Sequence, residues 1–277
     1  MHKNIINERR QAALPVIHHW IEKYSLDAAA FQGGIVRGTL NEDSDVDVLI
    51  VTGSPERCEE IPKGEGVFNG IKIGTYFLDF SKATPSKWND KQRYVYCFET
   101  EPIYDPLTKL NEMMKQAALT IDEIVFRSVK LIRKLSKKGI SYEGLNNENW
   151  RGFNWSRSAD YWIDRGEWLI ANLQINMAVN DVFQLLYTLN GRPIPSNKYF
   201  YYNIRFLPWL PAKLTERIQS ISQNYAATNT EYKLKSSEMI SILTEIIDEI
   251  DSRGLLPPDM KEYYYRHIFS YHDNTDE

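Results

Sequence analysis

The spacing of hydrophobic positions divides the chain into a mixed first part and a helical second part. From Glu8 to Tyr24 the apolar residues recur every three or four positions, which predicts an amphipathic helix, bent near Pro15. Shorter apolar runs, bounded by glycine, proline and aspartate, follow this helix and predict β-strands. The predicted strands are residues 27–31, 46–51, 71–80 and a short edge strand at 103–104.

Beyond about residue 112 the hydrophobic spacing is that of helices. We predict helices over 121–135, 156–189, 213–222 and 236–250, the second of them broken once at 176–180, with a proline-containing aromatic loop over 191–211. The chain is therefore expected to have an α+β fold. A small mixed β-sheet with flanking helices would occupy residues 1–115, and an all-helical domain would occupy residues 116–277.

Composition narrows the class of protein. A hydrophobic content of 43% and a charged content of 25% are typical of a globular protein, and no apolar run approaches the ~18 residues of a membrane span. The first residues lack the apolar core of a signal peptide, so a cytoplasmic location is expected. The two cysteines lack CxxC spacing and are expected to be structural. A net charge of -4 argues against a nucleic-acid partner.

The segment FQGGIVRGTLNEDSDVDVLIV, residues 31–51, carries the candidate chemistry. Aspartate is disfavoured in strands, and a buried carboxylate is costly unless it is paired or bound to a metal. With the two-residue period of a strand, Asp45 and Asp47 point to one face, where their charges repel unless a divalent cation neutralises them. Oxygen ligands on a rigid strand suit Mg²⁺, which carboxylates commonly share with substrate phosphates.

Gly33 and Gly34 precede this strand and allow the backbone to approach a ligand closely or to adopt positive φ. Amide groups in such a turn bind phosphate oxygens, and Arg37 could add a charge-assisted hydrogen bond. A glycine turn or an Asp-x-Asp pair also occurs by chance, in hairpins and exposed strand edges. Their order, with strands on both sides, predicts a nucleotide–metal site, and two Mg²⁺ ions are the known arrangement for displacement at phosphorus.

The order of these residues resembles the signature of the DNA polymerase β-like nucleotidyltransferases. In that superfamily a glycine pair or Gly-Ser, often followed by Arg-Gly, precedes Ser-Asp-x-Asp on a strand. The matching positions are Gly33, Gly34, Arg37, Gly38, Ser44, Asp45 and Asp47. Many members have serine where this chain has Gly34, although glycine is a common variant there. The layout of an αβ domain followed by a helical domain is similar to that of antibiotic nucleotidyltransferases such as the kanamycin and lincosamide enzymes.

The resemblance implies a role for each position. It places nucleotide contacts at Gly33, Gly34, Arg37 and Ser44, and Mg²⁺ ligands at Asp45 and Asp47. The superfamily takes a third carboxylate from a later strand, and Asp79, at the end of IKIGTYFLDF, fits best. Asp79 would bind metal or act as general base for the acceptor hydroxyl. Four competing acids are interpreted as loop, turn or solvated residues: Asp43, Glu99, Glu101 and Asp105.

Two polar surfaces of the helical domain leave alternatives open. The first is a basic helix face that could steer a nucleotide or be solvated; it consists of Arg127, Lys130, Lys134 and Lys137, in a segment that also holds Arg133 and Lys138. The second could bind the acceptor or form a buried polar network, and consists of Asn154, Arg157, Asp160 and Asp164.

The sequence thus predicts a nucleotidyltransferase that transfers a nucleoside monophosphate from Mg–NTP to an acceptor hydroxyl and releases pyrophosphate. Residues 1–115 would be the catalytic domain and residues 116–277 the acceptor-binding domain. The acceptor would be a small molecule, such as an antibiotic, or a protein side chain, and an oligomer is compatible with the many tryptophans. The alternative is a non-catalytic nucleotide-sensing or partner-binding module with the same fold.

Overall fold

The computed structural model describes residues 2–136 and 162–260. The chain divides into two compact units, residues 1–118 and residues 119–277. The first unit combines a five-stranded sheet with helices, and the described part of the second unit is helical, so the predicted α+β class is confirmed. Within the described ranges, no helix has both the length and the apolar character needed to cross a membrane.

The first unit begins with a long helix and then alternates strands with shorter helices. Its strands are β1 (Ala28–Gln32), β2 (Val46–Val51), β3 (Gly64–Phe68), β4 (Ile71–Leu78) and β5 (Thr100–Tyr104). Its helices are α1 (His2–Tyr24), α2 (Gly34–Arg37), α3 (Asp90–Phe98) and α4 (Lys109–Ala117), with 3-10 turns at Pro55–Cys58 and Pro85–Lys87.

The strands form one mixed sheet in the order β3-β4-β2-β1-β5, in which β2 and β4 are parallel and the other neighbours are antiparallel. Alternate residues of β2 point to opposite faces, as the strand period requires. Val46 and Val48 pack with α1 in one apolar cluster, whereas Leu49 and Val51 pack with α4 in another. Asp47 shares the face of Leu49 and Val51, so α4 covers one end of this face and the candidate carboxylates lie at the other.

The second unit is built around one long, largely buried helix. Its helices are α5 (Ile121–Ser136), α6 (Trp168–Leu189), α7 (Asn197–Asn203), α8 (Leu214–Gln223) and α9 (Asn229–Ser252), with a 3-10 turn at Ile204–Phe206. Buried Asn172 of α6 joins two elements, because its Oδ1 accepts from Lys235 Nζ of α9 (3.0 Å) and from the N–H of Ala226 (3.1 Å). The described part of this unit therefore has an apolar core in which the amide of Asn172 is hydrogen-bonded.

Most predicted elements are present, and β2 has the predicted bounds. The sequence analysis missed β3, α3 and α4, and the predicted aromatic loop contains α7. Helix α3 has few aliphatic residues to show a helical period, and a capping box between Asn89 and Gln92 sets its start. Strand β3 has glycine at two of its five positions, which weakens a strand pattern.

The predicted break at 176–180 is wrong, because α6 continues through it. Ile175 and Val182 are fully buried on the packed side of this helix, so the apolar stripe is uninterrupted, while Asn176 lies exposed. The chain leaves helical geometry earlier, at 164–167, where Gly166 has a φ of 76°. The first part of the predicted helix, 156–161, lies outside the described residues.

Candidate functional site

Gly33 forms the turn between β1 and α2. Its φ of 66° lies in the region that favours glycine, and its N–H donates to the carbonyl oxygen of Glu99 (2.9 Å). A Cβ atom at this position would collide with Oδ2 of Asp47, so a residue without a side chain is needed for the turn to approach that carboxylate. The Gly33 carbonyl oxygen accepts from the amides of Val36 and Arg37, which closes α2 into a single turn beside Asp47.

Gly34 opens α2, and Ser44 lies in the loop between α2 and β2. A Cβ atom at Gly34 would lie 2.9 Å from Cδ2 of Leu40, so this glycine leaves room for a buried leucine. The Ser44 hydroxyl donates to Oδ1 of Asn41 (2.8 Å) and accepts from the N–H of Asn41 (3.1 Å). Both residues therefore shape the backbone of the site, and their nucleotide contacts stay predictions.

The carboxylates of Asp45 and Asp47 converge on Gly74 of β4. Asp45 precedes β2 directly, and Asp47 pairs with Gly74 in the parallel β2–β4 ladder. A Cβ atom at Gly74 would lie 2.8 Å from Oδ2 of Asp45 and 3.1 Å from Oδ1 of Asp47. The two side chains thus share one face, as the strand period predicts, and they occupy the space that a side chain at Gly74 would fill.

Five residues lie side by side across the sheet at the level of Asp47. In order from β3 to β5 they are Glu65, Gly74, Asp47, Gln32 and Thr100. Gln32 is buried and donates from Nε2 to Oγ1 of Thr100 (3.0 Å). Paired residues point to the same face, so Asp47 lies between a glycine and a buried amide. Gly74 lies inside a strand composed mostly of β-branched and aromatic residues, and this is the sequence signal that could have revealed the open space beside Asp47.

The surroundings of Asp47 disfavour the ionised form of its carboxyl group. Its pKa is raised from 3.8 to about 6, first by burial and then by the charge of Asp45, with a smaller contribution from Glu99. A hydrogen bond from Tyr76 and the charge of Arg37 lower the pKa. A divalent cation between the two carboxylates would offset both burial and repulsion. Converging carboxylate oxygens on a strand are a donor set that fits Mg²⁺.

Arg37 is held in a buried ion pair. Its Nη1 lies 2.5 Å from Oε2 of Glu99, and the two side chains are 9% and 5% exposed. The interpretation of Glu99 as a solvated acid is therefore wrong, because Glu99 ends α3 at the point where Arg37 packs. Glu101 instead pairs with Arg10 (2.5 Å) and keeps a side chain that is 47% exposed. Arg37 thus contributes a fixed positive charge beside Asp47.

Tyr76 is the side chain that the sequence analysis missed. It stands two residues after Gly74 on β4 and forms a hydrogen bond with the Asp47 carboxylate. The pKa of Tyr76 is raised, chiefly by the charge of Asp47 and then by burial, so the hydroxyl keeps its proton at neutral pH. Only the pairing of β4 with β2 brings Tyr76 to the aspartates, which the linear sequence does not show.

Residues 19–97 match the family model of the nucleotidyltransferase domain. This segment runs from α1 into α3 and is less than a third of the chain. It contains Gly33, Gly34, Arg37, Ser44, Asp45, Asp47, Tyr76 and Asp79. The crystal structure of a nucleotidyltransferase-like protein from Exiguobacterium sibiricum 255-15 is similar at 12% identity and a TM-score of 0.40, covering 88% of this chain and 76% of that chain. No curated protein matches the chain.

Within the segment that matches the nucleotidyltransferase domain, Asp79 is not brought to the two carboxylates. It follows β4 at the end where Leu78 pairs with Val51, five residues beyond Gly74 and so roughly 16 Å along the strand. Its Oδ1 accepts from the N–H of Ser81 (2.8 Å) and its Oδ2 lies 3.1 Å from Nζ of Lys82. Asp79 therefore stabilises the turn after β4, at the opposite end of the sheet from Asp47.

The two polar surfaces predicted for the helical domain are described in part. On α5, Lys134 pairs with buried Asp181 (2.6 Å), and Arg127 lies 3.9 Å from Glu123. These contacts fit a helix face that is partly neutralised by its own unit. Asp164 is exposed. Lys137, Lys138, Asn154, Arg157 and Asp160 lie outside the described residues.

Proposed function

We propose that this chain is a Mg²⁺-dependent nucleotidyltransferase that transfers a nucleoside monophosphate from an NTP to an acceptor hydroxyl. The observation that carries the proposal is the convergence of Asp45 and Asp47 on Gly74, with the Gly33 turn against the same carboxylate. The match of residues 19–97 to the nucleotidyltransferase domain supports the class of reaction.

Some residues of the site would bind the cation, and others would bind the phosphates of the nucleotide. Asp45 and Asp47 would hold Mg²⁺, which supplies charge neutralisation at the reacting phosphate. The amides of Gly34 and Ile35 open α2, and first-turn amides have no acceptor within their helix, so they suit phosphate oxygens. Arg37 adds a fixed positive charge next to this turn. The hydrogen bonds of Ser44 with Asn41 stabilise the loop that leads into Asp45.

The proposed step is a displacement at the α-phosphorus. The acceptor oxygen forms a bond to phosphorus while the bond from that phosphorus to the pyrophosphate oxygen breaks. The pyrophosphate leaves with the electron pair of the broken bond, and the hydroxyl proton is released to water. Catalysis of this kind depends on positioning and charge neutralisation. We do not assign Asp79 as general base, because it lies at the other end of β4 from Asp47.

We propose a small-molecule or protein hydroxyl as the acceptor. A net charge of -4 disfavours a nucleic-acid backbone, which carries one negative charge per phosphate. This choice is tested by offering acceptors of each class.

A non-catalytic nucleotide-sensing module with the same fold is the second candidate function. The observation that favours it is that residues 2–136 and 162–260 contain no group of three or more His, Cys, Asp or Glu side chains arranged to hold a metal ion. Such a module would bind Mg–NTP through Asp45 and Asp47 without releasing pyrophosphate.

The test is pyrophosphate release from each of the four NTPs with MgCl₂, against aminoglycoside, lincosamide and protein acceptors. Asp45→Asn is compared with Asp43→Asn, which changes an exposed aspartate two residues earlier. We expect acceptor-dependent release that falls about 100-fold or more in Asp45→Asn and is unchanged in Asp43→Asn.

Calorimetric titration with Mg–NTP separates the two candidates. Binding without release under any acceptor supports the sensing module, and absence of binding refutes both. A separate titration of the NTP-bound chain with MgCl₂ counts the Mg²⁺ ions bound per chain, for which the sequence predicts two.

A further inference from the structure

Tyr76 occupies a position on β4 from which it can reach the candidate metal site. It lies two residues after Gly74 and therefore on the same face of the sheet. Its direct neighbour on β2 is Leu49, and Asp47 is a diagonal neighbour, which is within reach of an aromatic side chain. Gly74 has no side chain, so β4 leaves the space beside Asp47 open to the carboxylates and to the Tyr76 hydroxyl.

Tyr76 and Asp47 are hydrogen-bonding partners, and this interaction lowers the pKa of the Asp47 carboxyl group. The phenol is the donor, because an ionised carboxylate only accepts. A Cβ atom at Gly33 would collide with Oδ2 of Asp47, and a Cβ atom at Gly74 would lie 3.1 Å from Oδ1, so the carboxylate occupies the space beside both glycines. The torsion that turns a carboxylate about its Cβ–Cγ bond is otherwise broad. The Asp47 carboxylate thus fills the space beside two glycines and accepts a hydrogen bond from the phenol, an arrangement that favours one orientation of its oxygens.

Packing in the apolar core does not explain why a tyrosine stands at position 76. The residue is 53% exposed, and the apolar clusters described on the two faces of the sheet do not include it. Partners that orient a metal ligand, in contrast, usually affect metal affinity strongly when they are changed.

We infer that Tyr76 is a positioning residue, whose hydroxyl holds the Asp47 carboxylate in the orientation that binds the divalent cation. The inference rests on the proposed function, because it assigns Tyr76 to the same site. The contribution of β4 to the site is then the Tyr76 hydroxyl and the space beside Gly74. The sequence instead predicted that this strand contributes a third carboxylate, Asp79.

The test is the affinity of the full-length, nucleotide-free chain for Mn²⁺, followed by the electron paramagnetic resonance signal of the free ion. Tyr76→Phe keeps the ring and removes only the hydroxyl. Tyr104→Phe, on β5 and 36% exposed, is the matched control. We expect Tyr76→Phe to bind Mn²⁺ about tenfold more weakly and Tyr104→Phe to bind it as the wild type does. The unfolding temperature of metal-free Tyr76→Phe should equal that of the wild type.

A spectroscopic readout reports on the hydroxyl directly. Adding MgCl₂ should change the near-ultraviolet tyrosine absorbance of the wild type, and this change should be absent in Tyr76→Phe and present in Tyr104→Phe.

The outcomes separate this inference from the proposed function. Equal Mn²⁺ affinity in Tyr76→Phe and the wild type overturns the inference and leaves the metal site standing. A wild type that binds no Mn²⁺ overturns the metal site and the inference with it. Weaker binding that comes with a lower unfolding temperature assigns Tyr76 to folding and overturns the positioning role.

Discussion

Replacing Asp47 with asparagine should stabilise the metal-free protein, because the site opposes ionisation of this carboxylate. The pKa of Asp47 is raised from 3.8 to about 6 by burial and by the charge of Asp45. At neutral pH this difference corresponds to about 3 kcal/mol of folding free energy. The side chain is only partly buried, so solvent and salt screen the effect, and we expect a gain of about 1–2 kcal/mol. Asparagine keeps the shape and retains an oxygen that accepts from Tyr76.

The gain should depend on pH in a defined way. Between about pH 4 and pH 6 the folded wild type binds more protons than the unfolded chain, so its stability falls as the pH rises. Below this interval Asp47 is protonated in both states, and above it the carboxylate is ionised in both. The advantage of Asp47→Asn should therefore be absent near pH 4, grow up to about pH 6 and stay constant above it.

The assay is calorimetric unfolding in EDTA across this pH range, because two compact units need not unfold in one transition. The expected gain raises the unfolding temperature by about 2–8 °C at neutral pH. Asp43→Asn serves as the control, since Asp43 is exposed. A gain that the control shares, or one that does not vary with pH, would refute the reasoning. If Asp45 and Asp47 form the proposed Mg²⁺ site, adding MgCl₂ should reverse the order of stability, because the cation would stabilise the folded wild type more than the variant.

Two further substitutions test the packing around Asp47. In Gly74→Ala the new Cβ atom would lie 2.8 Å from Oδ2 of Asp45 and 3.1 Å from Oδ1 of Asp47, so both carboxylates must move. We expect Mn²⁺ affinity to fall about tenfold with an unchanged circular dichroism spectrum, and unchanged affinity would contradict the convergence of the two acids. In Glu99→Gln the buried pair with Arg37 loses its negative charge, which should lower the free energy of unfolding in urea by about 3 kcal/mol. A loss below about 1 kcal/mol would show that solvent reaches this pair.

The sequence predicted the parts of the site that follow from local periodicity. Asp45 and Asp47 lie on one face because the strand period is two, and that period can be read from the residues alone. Gly33 adopts positive φ at a turn that its position after a short strand predicts. The fold class followed in the same way, from a change in hydrophobic spacing along the chain.

The remaining parts of the site depend on how distant strands pair. Gly74 and Tyr76 reach Asp47 only through the parallel register of β4 against β2, which hydrophobic spacing does not encode. The same register explains why Asp79 is separated from the pair. In a parallel ladder the end of β4 lies beside the end of β2. Asp79 follows the end of β4, whereas Asp47 is near the start of β2. Glu99 was misread because α3, which carries it to Arg37, was not recognised as a helix.

The Asp47 carboxylate occupies space that side chains at Gly33 and Gly74 would fill, with one oxygen beside each glycine. This arrangement changes how the loss of the site would appear during evolution. A mutation that adds a single methyl group at either glycine would disable the carboxylate while both aspartates remain in the sequence. A descendant chain that retains Asp45 and Asp47 but has lost either glycine would therefore lack this geometry, and a search for the acidic motif alone would not distinguish it from the parent chain.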